Sequence, residues 1–267
     1  ASGQGLRQGA SPGPPPALDD PAYKIGFEMV SIWSAQLDPA DGVMIDVSPG
    51  SIGNADLPTT PAEEVAFYDY WGGGDWGTGY PTNPVTGETY PQQLVPRGDY
   101  ARILAEFWAD GPDSETPPGH WFVILNDVAD HPSFEKRIGG TGPIVNDLEW
   151  CVKAYLAMGG AMHDCAIAAW GVKGWYDYLR PISALRYTAD LGQCTDKEQA
   201  NYHPDGVNLR PGYIELVSAE STAPGARHEH IFGSEGKIAV KSWRGPDYIE
   251  DPEVDFAGVG WILAENW

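Results

Sequence analysis

At 267 residues the chain is long enough to bury a real core in one or two domains. Sixteen Lys and Arg against 38 Asp and Glu leave a formal charge of −22, which argues against a nucleic-acid binder with its basic footprint and against an anionic membrane surface. No run approaches the roughly 18 uninterrupted apolar residues of a membrane helix. Thirty-three Gly and 24 Pro beside 11 Trp and 13 Tyr imply long ordered loops pinned by aromatic rings rather than a low-complexity chain. Three cysteines (Cys151, Cys165, Cys194) with no Cys-x-x-Cys make no disulfide framework. Cys151 and Cys165 would be roughly 20 Å apart on one helix, so buried free thiols are expected unless the chain turns back at Gly159-Gly160.

Residues 1–22, with Pro14, Pro15 and Pro16, read as an extended arm. The opening Ala-Ser-Gly-Gln has no initiating Met, which suggests a processed chain or a piece of a longer one. Residues 23–36 carry Ile25, Phe27, Met29, Val30, Ile32 and Trp33, a spacing that fits a helix or a strand. Residues 43–98 read as loop with short extended pieces, and Thr60-Pro61 offers a helix start. Asp69, Asp75 and Glu88 are oxygen ligands in principle, but no regular Asp-x-Asp loop is present and ordinary loop carboxylates are the simpler reading. Residues 99–110 predict a helix with Ile103, Leu104, Phe107 and Trp108 on one side. After a loop comes His120, either a proton carrier or a histidine bonded to loop backbone. Residues 121–128 continue apolar.

Asn146-Asp-Leu-Glu149 resembles a capping box and predicts a helix from 147, interrupted at Gly159-Gly160. A second helix is predicted over 161–179, with His163 and Asp164 in structural roles near its start. Further helices are predicted over 182–190 and 213–219, with a loop over 193–212 between them. His228 and His230 form a His-x-His pair, but metal binding needs a third ligand that the sequence does not identify, so a polar surface or interface is the simpler reading. Residues 231–243 have a mixed period, and 255–267 are apolar.

The chemistry concentrates between Trp170 and Arg186. Lys173 and Arg180 are seven residues apart, with Pro181 directly after. On one α-helix that spacing puts both cations on one face, roughly 10 Å apart along the axis, with the proline stopping or kinking the helix at the arginine. A point charge and a planar fork are suited together to the oxygens of an oxyanion. The same spacing fits an exposed ladder, since Asp177 lies four after Lys173 and three before Arg180. Trp175, Tyr176, Tyr178 and Leu179 around the pair, in a chain poor in cations, weigh towards the oxyanion.

Trp170, Lys173, Arg180 and Pro181 resemble the first active-site motif of the vanadium-dependent haloperoxidases and their relatives, the type 2 phosphatidic-acid phosphatases: Lys, six residues, Arg-Pro. The surrounding Asp164–Trp170 and Ile182–Arg186 resemble bacterial members of the haloperoxidase branch. So do Ala105–Trp108, Pro117–Trp121 and Gly258–Trp267, so the similarity covers roughly 100–267. The resemblance implies a mainly α fold, a helical bundle of the haloperoxidase type with long Pro/Gly-rich loops, incomplete in this chain. Its expected domains are an arm (1–22), a loop-rich region (23–98) and the front part of the helical domain (99–267).

The resemblance also implies a vanadate cofactor bound through a histidine, with Lys173 and Arg180 as catalytic, oxyanion-binding cations and Trp170 at the halide pocket. Hydrogen peroxide and halide are then the substrates, and an extracellular or periplasmic oligomer is expected. The sequence departs from the family in one respect. It has no Ser-Gly-His triplet, and its histidines (His120, His131, His163, His203, His228, His230) fit none of the later motifs. The expectation is that a downstream or companion polypeptide supplies them. Two alternatives stay open: a phosphatase using the same grip, or a non-catalytic subunit retaining half of the site.

Overall fold

Asp20 accepts the N–H of Ala22 (2.9 Å) and Pro21 occupies the first turn, so a helix begins there: α1, Pro21–Ala35. Phe27, Ile32 and Ala35 are buried along it, which settles the period over 23–36 as helical. The computed structural model describes residues 14–51, 79–84, 86–108, 115–190, 192–245, 248–249 and 258–267. The expected helix start at Thr60-Pro61, the carboxylates Asp69 and Asp75, and residues 1–13 of the arm lie outside these. The chain divides into two units, one built on Phe107–Tyr178 and the other on Pro15–Glu106 with Leu179–Trp267.

In the second unit, β1 (Met44–Asp46) pairs antiparallel with β2 (Leu94–Pro96). An Asp41–Arg97 ion pair at 2.7 Å closes the pair where β2 runs into α2, Arg97–Trp108. The region predicted helical at 213–219 is instead extended. β3 (Ile214–Leu216) forms the edge of a three-stranded antiparallel sheet with β4 (Ile238–Trp243) and β5 (Val259–Leu263), in the order β3-β4-β5. The reason is a period of two. Ile214 and Leu216 face one side with Ile238 and Val240, while Glu215 and Val217 face the other with Ala239. The fold is therefore not simply mainly α: helices share the chain with this sheet and the β1–β2 pair.

One face of the sheet is covered by α1 and by α5 (Pro181–Ala189). Phe27, Ala184, Leu185, Ala189, Ile214 and Val240 form its buried core, with Cys194 among them. Ser242 Oγ donates to Ser31 O (3.0 Å) and the Trp243 N–H to Ser34 Oγ (2.9 Å), pinning α1 to β4. Glu28 is buried in α1, where it accepts the N–H of Asn208 (2.8 Å) and lies 3.4 Å from Arg210. Burial pushes its carboxyl up, against the pull of those donors. Gly192 turns the chain after α5 with φ +68°, and a side chain there would stand 2.0 Å from Gly236 O, so only glycine fits.

The first unit is a helix pair. Thr116 caps α3 (Pro117–Asp130), and Asn146 Oδ1 caps α4 (Asp147–Tyr176) by accepting the N–H of Glu149 (2.9 Å). The N-cap predicted at Asn146 is present, with Glu149 turned to Lys153 (2.5 Å). Phe122 stacks on Tyr155 (5.2 Å) and Tyr155 donates to Asn126 Oδ1, joining α3 to α4. Contrary to expectation, Gly159-Gly160 does not interrupt α4: thirty residues run as one helix. Glycine costs a helix about 1 kcal/mol without ending it. No described residue of this unit is buried. Cys151 and Cys165 both lie on α4 and are exposed free thiols rather than the expected buried ones; only Cys194 is buried.

Candidate functional site

The cations of the Lys-x6-Arg-Pro motif sit at a helix end and a helix start. α4 stops at Tyr176, three residues short of the predicted end, so the single helical face expected to carry both cations does not exist. Asp177 stops it: its φ of +43° and ψ of +47° are left-handed, and its N–H donates to Lys173 O (3.0 Å). Pro181 then forces Arg180 out of the helical region, to φ −84° and ψ 153°, where it is the N-cap of α5. The motif is thus read by three local events: a cation in a last turn, a left-handed aspartate, and an extended arginine before proline.

Lys173 belongs to the first unit and Arg180 to the second. Both side chains are exposed, and among the described residues neither makes a side-chain hydrogen bond or ion pair. The ladder through Asp177 is absent: the left-handed cap takes that carboxylate off the helical path. Trp170 is three residues before Lys173 on α4, so the two share a face. Its ring is 71% exposed.

The remaining candidates separate. His120 lies in the first turn of α3, edge-on to Phe107 (4.7 Å) and 3.4 Å from Glu115, whose carboxyl is held low by backbone and by that histidine. His163 sits mid-helix beside Asp164 (3.3 Å), exposed. The His-x-His pair splits: His230 Nε2 meets Trp261 O (2.7 Å), while His228 turns inward and is fully buried. No group of three or more His, Cys, Asp or Glu among the described residues is placed to hold a metal ion. Among the same residues, no helix is long and apolar enough to cross a membrane.

The residues that motif reading missed are those around His228. Its Nδ1 is 2.9 Å from Ser221 Oγ, and its Nε2 is 3.6 Å from Glu215 Oε2. Glu215 looked like one residue of a helix, and nothing in the spacing 215, 221, 228 marks a constellation.

The segment 153–238 matches the family model of the VCPO second helical-bundle domain. It begins within α4, passes through Lys173, Arg180 and α5, and ends at the first residue of β4. The chain matches no curated protein and no solved structure. The matched segment holds the whole Lys-x6-Arg-Pro motif with its helix end, its left-handed aspartate and its proline start, and its match to that model supports membership of the vanadium haloperoxidase family.

Proposed function

We propose that the chain is part of a vanadate-dependent haloperoxidase, which oxidises halide with hydrogen peroxide. The observation that carries this reading is the pair Lys173 and Arg180. In a chain with 38 acidic side chains against 16 basic ones, these two lie inside the family segment and, among the described residues, pair with no carboxylate. Cations that are left exposed beside so many carboxylates are available to an anion from outside.

The donor chemistry of these residues fits vanadate as an oxyanion. Lys173 offers three N–H donors on a flexible stem, and Arg180 offers a planar fork that matches two oxygens at once. Bound vanadate would supply Lewis-acid activation of hydrogen peroxide towards halide. Lys173 and Arg180 would hold the oxyanion and draw negative charge towards themselves, and such fixed cations stabilise charge that develops during reaction. Trp170, on the same helical face as Lys173, is placed by this reading at the halide pocket. The remaining donors, a histidine ligand and a Ser-Gly-His triplet, are assigned to a downstream or companion polypeptide. Phosphate has the same shape and charge pattern as vanadate, so a phosphatase is the second reading.

Replacing Arg180 by Ala tests the grip. In the assembly with its companion segment, titration with orthovanadate should show affinity weakened by about 10- to 100-fold, the loss of roughly 1.5–3 kcal/mol of charge-assisted hydrogen bonding. Unchanged vanadate affinity would reject the assignment. Halide oxidation with peroxide, measured beside hydrolysis of a phosphate monoester, separates the peroxidase from the phosphatase.

A further inference from the structure

The face of the sheet opposite α1 and α5 is covered by the turns between β3 and β4. His228 is enclosed there, its ring edge-on to Trp261 of β5 (4.6 Å, 79°) and its backbone N–H donating to Ser221 O (2.8 Å). The ring lies between two groups. Nδ1 is 2.9 Å from Ser221 Oγ, while Nε2, which has no hydrogen-bond partner among the described residues, is 3.6 Å from Glu215 Oε2. Glu215 is itself held. Its Oε1 accepts from the Gly212 N–H (2.6 Å) and from Arg227 (2.7 Å), leaving Oε2 on the side of the ring. Glu215, Ser218, Ser221 and Arg227 line a cavity of about 470 Å³.

In the tautomer that carries the ring proton on Nε2, Nδ1 accepts the Ser221 hydroxyl and the Nε2–H faces the carboxylate. That order of hydroxyl, imidazole and carboxylate is the arrangement that activates a serine nucleophile, and it is recognised by roles rather than by sequence order. We propose that Ser221 is a nucleophile towards small carboxylic esters, with His228 as its base and Glu215 as the residue that positions the ring.

In the acylation step, Ser221 Oγ bonds to the ester carbonyl carbon and its proton passes to His228 Nδ1. The bond from that carbon to the alcohol oxygen breaks, and the alcohol leaves with the proton from Nδ1. Water then adds to the acyl carbon, with His228 again taking and returning the proton. The carboxylic acid leaves and the hydroxyl of Ser221 is restored. Arg227, at the cavity wall, is the cation available to the oxyanion that develops on the carbonyl oxygen. Burial holds the imidazole below its ordinary pKa, so it is neutral and able to accept a proton at pH 7. This activity is independent of Lys173 and Arg180.

Ser221 has a competing role. Its Oγ accepts the Ser218 N–H (2.9 Å) and lies 3.0 Å from Ser218 O, so a hydroxyl turned to that oxygen would only pin the turn. Treating the full chain with a fluorophosphonate ester distinguishes the two, because an activated serine displaces fluoride and keeps the phosphonyl group. Mass spectrometry should map the label to Ser221. The label should be absent in Ser221→Ala, and hydrolysis of p-nitrophenyl acetate should fall about 100-fold in that variant. In His228→Gln labelling should slow at least tenfold.

Circular dichroism establishes that each variant is folded. If His228→Gln is not, Glu215→Gln decides. There the pH at which labelling switches on should move lower, because the carboxylate no longer favours the imidazolium. A folded chain that leaves Ser221 unlabelled, an unchanged rate in Ser221→Ala, or an unmoved pH profile in Glu215→Gln would overturn the proposal.

Discussion

His228 is the residue where burial and charge compete most openly. Enclosure disfavours its charged form and lowers its pKa from the ordinary 6.5; Glu215 pulls the other way, and Arg227 and His230 add to the lowering. A base with a depressed folded pKa stabilises the fold while it is neutral. That contribution is complete above about pH 6.5 and is lost as pH falls through the unfolded value towards the folded one. Urea unfolding followed from pH 7.5 down to 5 should therefore show falling stability, with the slope reduced in His228→Gln. Equal slopes in the two proteins would mean that the ring does not resist protonation. Glu28 has the opposite sign: burial raises its carboxyl pKa above 4.5, so its contribution is present at low pH and fades as pH rises through the folded value. The two residues were equally opaque in the sequence. A glutamate in an apolar helix and a histidine in a polar turn gain their character only from what the fold places over them.

At the scale of elements, signals written in adjacent residues were legible and signals written across the chain were not. The N-cap at Asn146 and the helices expected over 182–190 and 99–110 are present, the last two as α5 (Pro181–Ala189) and α2 (Arg97–Trp108). β3 was missed because three residues give too short a run for a period, and its partner strand lies more than twenty residues away. The end of α4 was misplaced for a different reason. Proline was read as the stop, whereas Asp177 ends the helix first by adopting a left-handed backbone, which no non-glycine residue advertises in sequence. This conformation yields a test. Asp177→Val should lower stability by about 1–2 kcal/mol, since a β-branched side chain pays the full steric cost at positive φ, while Asp177→Gly should be tolerated. Thermal denaturation of the two variants measures the difference. Equal midpoints would show that the motif's turn does not need the left-handed residue, and its separation of Lys173 from Arg180 would then have another cause.

At the scale of the whole molecule the two units are built on different terms. The sheet unit has a buried core, and the Phe107–Tyr178 unit has no buried residue among those described. α4 makes the contrast sharpest. It is thirty residues, about 45 Å, with apolar side chains around its whole circumference, and α3 packs on it within its unit. Leu148 is 75% exposed, Leu156 76% and Trp175 82%. A helix that is hydrophobic all round belongs in an interior, and contiguous exposed apolar surface marks a place where another chain packs. The companion polypeptide proposed for the rest of the site is the partner this surface suits. It would bring apolar helices to the same helix that carries Trp170 and Lys173. The chain on its own should therefore bind a hydrophobic-surface dye strongly and self-associate as its concentration rises. Replacing Leu148 and Leu156 together by Lys should cut the dye signal several-fold and shift the chain to a smaller species in sedimentation. Addition of the companion polypeptide should suppress the dye signal of the native chain and fail to bind the double variant. If the two proteins bind dye equally, α4 is already covered and is not the surface that the proposed companion polypeptide would use.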